Sequence, residues 1–159
     1  MRSAKGFTLI ELSVVLVLVA ITAAIAIPSF SELIKDNRVQ AQAEELNSMA
    51  QYARSEAVVR KRIVRMAVNE ATGAVTVAAG GETLRAIDLN LDSVAFAVSH
   101  ATLDYRPNGT SSVSNYRVLF CRDSKPSSGY EFTISGAGTA RLSAKGVSVN
   151  GAVLGSCAI

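Results

Sequence analysis

Few residues in this chain could do chemistry, and their surroundings narrow what that chemistry is. Glu11 is the sole charged residue between positions 7 and 27. A carboxylate in so apolar a run is costly to hold in lipid; it reads as an acid that snorkels or is protonated near the interface, or as a functional group paired with a cation. Cys121 and Cys157 lie far apart, with no CxxC spacing and no histidine cluster near either. In an exported chain they read as one disulfide; in a cytosolic chain they read as two buried thiols. His100 is the single histidine, so a histidine cluster for zinc cannot form. It reads as a loop or surface residue rather than a base. No nucleophile elbow or phosphate loop is present. Asp88, Asp92 and Asp104 lack the spacing of a calcium loop. The chain therefore reads as a non-enzyme with no cofactor and no metal.

The position of Glu11 gives it a partner. Arg2 and Lys5 stand just before it, and the small-residue junction Gly6-Phe7 precedes the apolar run instead of following it. An ordinary secretory signal has the reverse order. Cutting between Gly6 and Phe7 removes the leading charges, keeps the apolar segment and creates a new α-amino group on Phe7. Intermolecular pairing of that amine with Glu11 neutralises both charges and sets the axial register between subunits. Residues 7–27 number 21, and about 20 apolar residues span a bilayer as a helix. The β-branched residues Val14, Val15, Val17, Val19 and Ile21 weaken a helix in water. In lipid the helix is still the only way for one segment to satisfy its own backbone. The short basic leading end predicts that end in the cytoplasm and the rest outside. Pro28 removes an amide donor, which predicts a kink or loosening around residues 24–28.

Past Pro28 the apolar positions change period. Leu46, Met49, Ala50, Ala53 and Ala57 recur at helical spacing, with Gln42, Glu45, Asn47, Gln51 and Arg54 in the other directions. This small apolar stripe suits packing on a sheet. A helix over 7–60 would be on the order of 80 Å long. It ends in the basic cluster Arg60, Lys61, Arg62, with Arg54 and Arg65 close in sequence. The cluster reads as a solvated helix end complementing the dipole, or as a contact for lipid head groups, DNA or an acidic subunit face. Removing Arg2 and Lys5 leaves 14 basic and 13 acidic residues. That near-neutral balance gives little support for a nucleic-acid footprint.

The rest of the chain reads as short strands over 63–68, 74–79, 84–89, 94–98, 103–106, 116–121, 131–135, 139–143 and 147–149. Turn clusters at 69–73, 107–110, 123–129 and 136–138 separate them. Many short strands behind one helix predict an α+β domain with antiparallel sheets. The expected division is a cleaved leader 1–6, a transmembrane and assembly helix 7–28, an amphipathic continuation 29–62 and a β-rich head 63–159. Joining Cys157 to Cys121 would tie a late tail to an interior strand.

Gly6-Phe7-Thr8-Leu9-Ile10-Glu11 before an apolar helix resembles the type III signal of type IV pilins and type II secretion pseudopilins. The resemblance implies cleavage between Gly6 and Phe7 by a prepilin peptidase, N-methylation of Phe7, and Glu11 contacting the amine of an adjacent subunit. It also associates the region of Pro28 with bending or melting during filament packing. The run Tyr105-Arg106-Pro107-Asn108-Gly109-Thr110, the strand 116–121, and Phe132-Thr133-Ile134-Ser135 leading to Gly138-Thr139-Ala140-Arg141 resemble the GspH/FimT class. That class implies a helix packed on two small antiparallel sheets. Within it, residues 40–48 and 54–57 are similar to the FimU-type minor pilins. These join a minor-pilin complex that primes assembly and caps the pilus tip, supporting twitching motility and adhesion. The implied partners are the peptidase, other minor pilins, the major pilin and the inner membrane. The implied location is the bacterial inner membrane with a periplasmic head, then the pilus fibre or tip. The FimT branch binds DNA through Gly-Arg-x-Arg. Here the stretch carries Arg141 alone, which counts against DNA capture through Arg141 and the Arg60, Lys61, Arg62 cluster. A DNA-binding pilin of natural transformation and a GspH-like pseudopilin of type II secretion are the alternatives.

Overall fold

The computed structural model describes residues 6–159. Most of the expected leader therefore lies outside the described residues. One helix, α1, runs Leu9–Arg60, helical through Pro28. The chain divides into two compact units, one ending at Lys35 and one comprising Asp36–Ile159. In the first unit every apolar side chain of the helix is exposed except that of Ala23, which is half-buried. Among the described residues this is one helix long and apolar enough to cross a membrane.

The second unit is built on the later part of α1. Val39, Ala43, Leu46, Met49, Ala50, Ala53 and Ala57 are all fully buried. The helical stripe read from Leu46 to Ala57 is thus the core face, and it extends two turns further back. Lys61 stops the helix with a left-handed backbone, φ 51°. Eight strands follow. β1 (Val64–Val68), β2 (Ala74–Ala79), β3 (Glu82–Asp88) and β5 (Thr102–Tyr105) form one antiparallel sheet in the order β3-β2-β1-β5. β4 (Val94–Val98), β6 (Asn115–Arg122), β7 (Tyr130–Ser135) and β8 (Ala140–Leu142) form the other, in the order β4-β6-β7-β8. Strict alternation gives the first sheet its inner face: Val64, Met66, Val68, Val75, Val77, Leu103 and Tyr105. Tyr116, Phe120, Phe132 and Ile134 form the inner face of the second, whose strands β6 and β7 are buried on both faces. Both sets share one core with the helix stripe.

The expected strand at 147–149 does not form. Val147 makes one isolated bridge to Val153, and the tail instead lies on the outer face of the second sheet. There Leu154 joins Leu119 and Cys121 in a small second core, with Cys157 against it. The disulfide Cys121–Cys157 closes this arrangement, with Cα atoms 6.0 Å apart. Gly129 fits beneath it, because a Cβ there would stand 2.8 Å from the Cys121 sulfur.

Two distant turns meet over the helix. The Arg54 guanidinium donates to the Gly109 carbonyl at 3.0 Å and to the Ala137 carbonyl at 3.2 Å. Gly138 has φ +76°, and a Cβ on it would overlap the Gly109 carbonyl oxygen. Gly138→Ala combines backbone strain with a clash that has no flexible atom to yield. It should lower stability by roughly 2–4 kcal/mol. Gly151→Ala, at φ +82° in open space, should lose only about 1–2 kcal/mol. Near-UV melting of the detergent-solubilised chain checks this; equal losses would show that the contact with Gly109 does not matter.

Candidate assembly site and head surface

Glu11 is already bonded within its own chain. Thr8 stands just before the helix, and its amide and hydroxyl both donate to Glu11 Oε2 at 3.0 Å. The Glu11 amide donates back to the Thr8 hydroxyl at 3.3 Å. Thr8-x-x-Glu11 is therefore a capping box that satisfies donors the first helical turn would leave orphaned. The spacing is visible in the sequence, and it adds Thr8 to the residues that matter there. Gly6 and Phe7 precede the helix outside any regular element and are exposed, Phe7 by 87%.

The basic residues do not form one free patch. Arg60 pairs with Glu56 one turn earlier. Arg62 reaches Glu82 at 3.5 Å. Arg65 makes a two-pronged pair with Asp104, at 2.7 and 2.8 Å. Arg54 is committed to the two glycine turns. Lys61 is exposed. Arg141 lies on the other sheet, opposite Thr133, so the structure does not join it to the helix-end cluster. Sequence order suggested a concentrated charge, but the partners Glu56, Glu82 and Asp104 come from three different elements. Asp36, which the sequence did not single out, forms ion pairs with Arg122, at 2.8 Å, and with Lys145.

The Arg65 guanidinium holds the Asp104 carboxyl below its ordinary value of 3.8, against a smaller opposing effect of burial. A lowered carboxylate contributes stability that is complete above the unfolded value and is lost as pH falls through the folded one. Asp104→Asn should cost about 0.5–1 kcal/mol at pH 7 for so exposed a pair. The difference should narrow as pH falls below the ordinary value of 3.8 and through the lowered folded one. Parallel denaturant titrations at about pH 7 and about pH 2.5 check it; a gap that does not narrow in acid would reject the assignment. The disulfide closes 36 residues. Cys157→Ser should lower stability by about 3–4 kcal/mol, read as a drop in melting midpoint matched by reduction of the native chain. No change in either would mean that the bridge does not stabilise the head.

A long helix whose second half is buried by two small antiparallel sheets, and whose first half carries a capped glutamate behind a Gly-Phe junction, defines a pilin-like subunit. The Type II transport protein GspH family model matches residues 42–138, and the prokaryotic N-terminal methylation motif matches residues 1–27. The chain belongs to the GspH family of type IV pilin-like proteins. It is a non-enzymatic minor pilin or pseudopilin of that class. The head is similar to the crystal structure of the type IV minor pilin FimU of Pseudomonas aeruginosa. The TM-score is 0.64 at 27% identity, over 76% of this chain and 96% of that one. It shares its fold with the minor pseudopilin EpsH of the Vibrio cholerae type 2 secretion system. There the TM-score is 0.53 at 12% identity, over 67% of this chain and 97% of that one. A curated fimbrial protein of Pseudomonas aeruginosa is 36% identical over 72 residues, 45% of this chain. That match spans about half of the relative, 47% of its length.

Proposed function

We propose that the chain is a minor pilin of a type IV pilus, joining a minor-pilin priming or tip complex that supports pilus assembly, twitching motility and adhesion. The observation that carries this reading is the likeness of the head to FimU, with 96% of that chain covered, behind a matched methylation motif. The motif implies processing by prepilin peptidase, and the class implies assembly with other pilins. On this reading the leader is cut between Gly6 and Phe7, Phe7 is N-methylated, and residues 7–28 hold the subunit in the inner membrane with the head in the periplasm. The region of Pro28 then loosens as subunits pack. The subunit afterwards enters the fibre or its tip.

The capping box supports the role of Glu11 as the register mark. Thr8 occupies Oε2 only, so a neighbouring Phe7 amine can approach Oε1 without breaking the cap. The local bonds also offset part of the cost of holding a carboxylate in lipid before assembly. A pseudopilin of type II secretion is the second reading, favoured by the family description. DNA capture finds less support, because Arg60, Arg62 and Arg65 are each paired with a carboxylate.

The test is genetic. A strain lacking the chain should lose surface pili and twitching while secreting normally; lost secretion with intact pili would transfer the chain to the secretion system. Glu11→Ala should cut incorporation into sheared fibres at least tenfold, with the head still folded. Normal piliation in that variant would remove Glu11 from the register.

A further inference from the structure

The outer face of the second sheet is only half covered. The tail and its disulfide close over Leu119 and Cys121. Beyond them an open groove of about 470 Å³ remains, walled on one side by residues 148–150. Its floor is set by strand register. Arg117 stands opposite Thr133, and Thr133 opposite Arg141, so three neighbouring strands place one row on one face. Asn115 opposite Ser135 makes the next row, and Thr139 closes the end. Cross-strand neighbours of this kind lie about 5 Å apart at Cβ, within reach of a single ligand group.

The charges here are unequal. Glu131 is 3% exposed. Its Oε1 accepts from Arg117 at 2.8 Å, and its Oε2 accepts from the Val149 amide at 2.8 Å. Arg117 and Glu131 thus neutralise each other and fix the tail as the groove wall. Arg141 is exposed and takes part in no hydrogen bond or ion pair with the described residues. One uncompensated guanidinium therefore faces a groove lined largely by hydroxyls and by the side-chain amides of Asn115 and Asn150.

We propose that this groove receives an acidic side chain, aspartate or glutamate, on a segment of a neighbouring pilin subunit, with Arg141 as its cation. The inference rests on the reading of the chain as a filament subunit. A single carboxylate matches the single free charge, and the planar guanidinium can bind it through two parallel bonds. Thr133, Ser135 and Thr139 supply donors for its flanking backbone. The groove has no aromatic lining, so it offers no stacking platform for bases. Duplex DNA would also need several phosphate-neutralising cations in a row.

A photo-crosslinking residue in place of Thr139, in the full chain within pilus-producing cells, tests this. The expected product is an adduct with a pilin segment that carries Asp or Glu within two residues of the link. Arg141→Gln should reduce that adduct about tenfold or more, while Arg141→Lys keeps a larger share. An adduct unaffected by Arg141→Gln, an adduct on a segment without an acid, an adduct with DNA, or no adduct at all would overturn the proposal. Scoring membranes and sheared fibres separately keeps the two readings apart. A subunit captured on a pilin in the membrane but absent from fibres sinks the pilus reading and leaves the groove standing.

Discussion

The head depends on one constraint: a single face of α1 has to be covered by two sheets at once. Four of the residues on that face are alanines, at 43, 50, 53 and 57, and each is fully buried. Their small size lets side chains from both sheets approach the helix closely, so the bulk of the core comes from the other side. Tyr105, Tyr116, Phe120 and Phe132 supply it, with Leu46 and Met49 as the larger helical contributions. Burying side chains of this size contributes roughly 1.5–3 kcal/mol each. An alanine enlarged here would add volume to a packed interior, which tolerates it poorly. The two hydroxyls of Tyr105 and Tyr116 find no partner among the described residues, and burial drives both phenols well above their ordinary range. These tyrosines therefore stay neutral and act as bulk.

The same face explains why the loops sit where they do. Arg54 lies one residue beyond Ala53 on the helix, at the border of the buried stripe. From there it reaches the carbonyls of two turns that are 28 residues apart in sequence, at Gly109 and Ala137. The donors of one planar guanidinium hold two backbone segments that have no strand to pair them. The Gly109 turn carries the chain from β5 in one sheet to β6 in the other, and the Ala137 turn joins β7 to β8 within the second. The hydrogen bond from the Ser111 amide to the Gly136 carbonyl, at 3.0 Å, completes the junction.

Much of this is legible in the sequence because it rests on periodicity. The stripe from Leu46 to Ala57, the hairpin on Gly73, the antiparallel strands and the pairing of Cys121 with Cys157 all follow from spacing or compartment. What stays hidden depends on residues distant in sequence. Val147 to Val149 alternates like a strand, yet the disulfide and Leu154 hold that segment on a sheet face, where a Val149 amide serves Glu131 instead of a ladder partner. Arg54, Arg60, Arg62 and Arg65 look like one basic surface until Glu56, Glu82, Asp104 and two carbonyls are brought to them. Glu11 is the opposite case. Its anomaly is plain from composition, and its local partner Thr8 follows from a three-residue spacing that helix capping makes meaningful.

These placements divide a motif that looks continuous in the chain. In Gly138-Thr139-Ala140-Arg141 the glycine belongs to the fold, because only a residue without Cβ clears the Gly109 carbonyl and takes φ +76°. The arginine belongs to the surface, three residues later on an edge strand and facing outward. A likeness at Gly138 therefore carries information about the junction with Arg54 and none about ligands. The character of the binding face turns on Arg141 and its neighbours Arg117 and Thr133. With Arg117 neutralised by Glu131, that face has one cation to offer. One cation on a hydroxyl-lined sheet suits a discrete contact between subunits better than a field that tracks a polyanion.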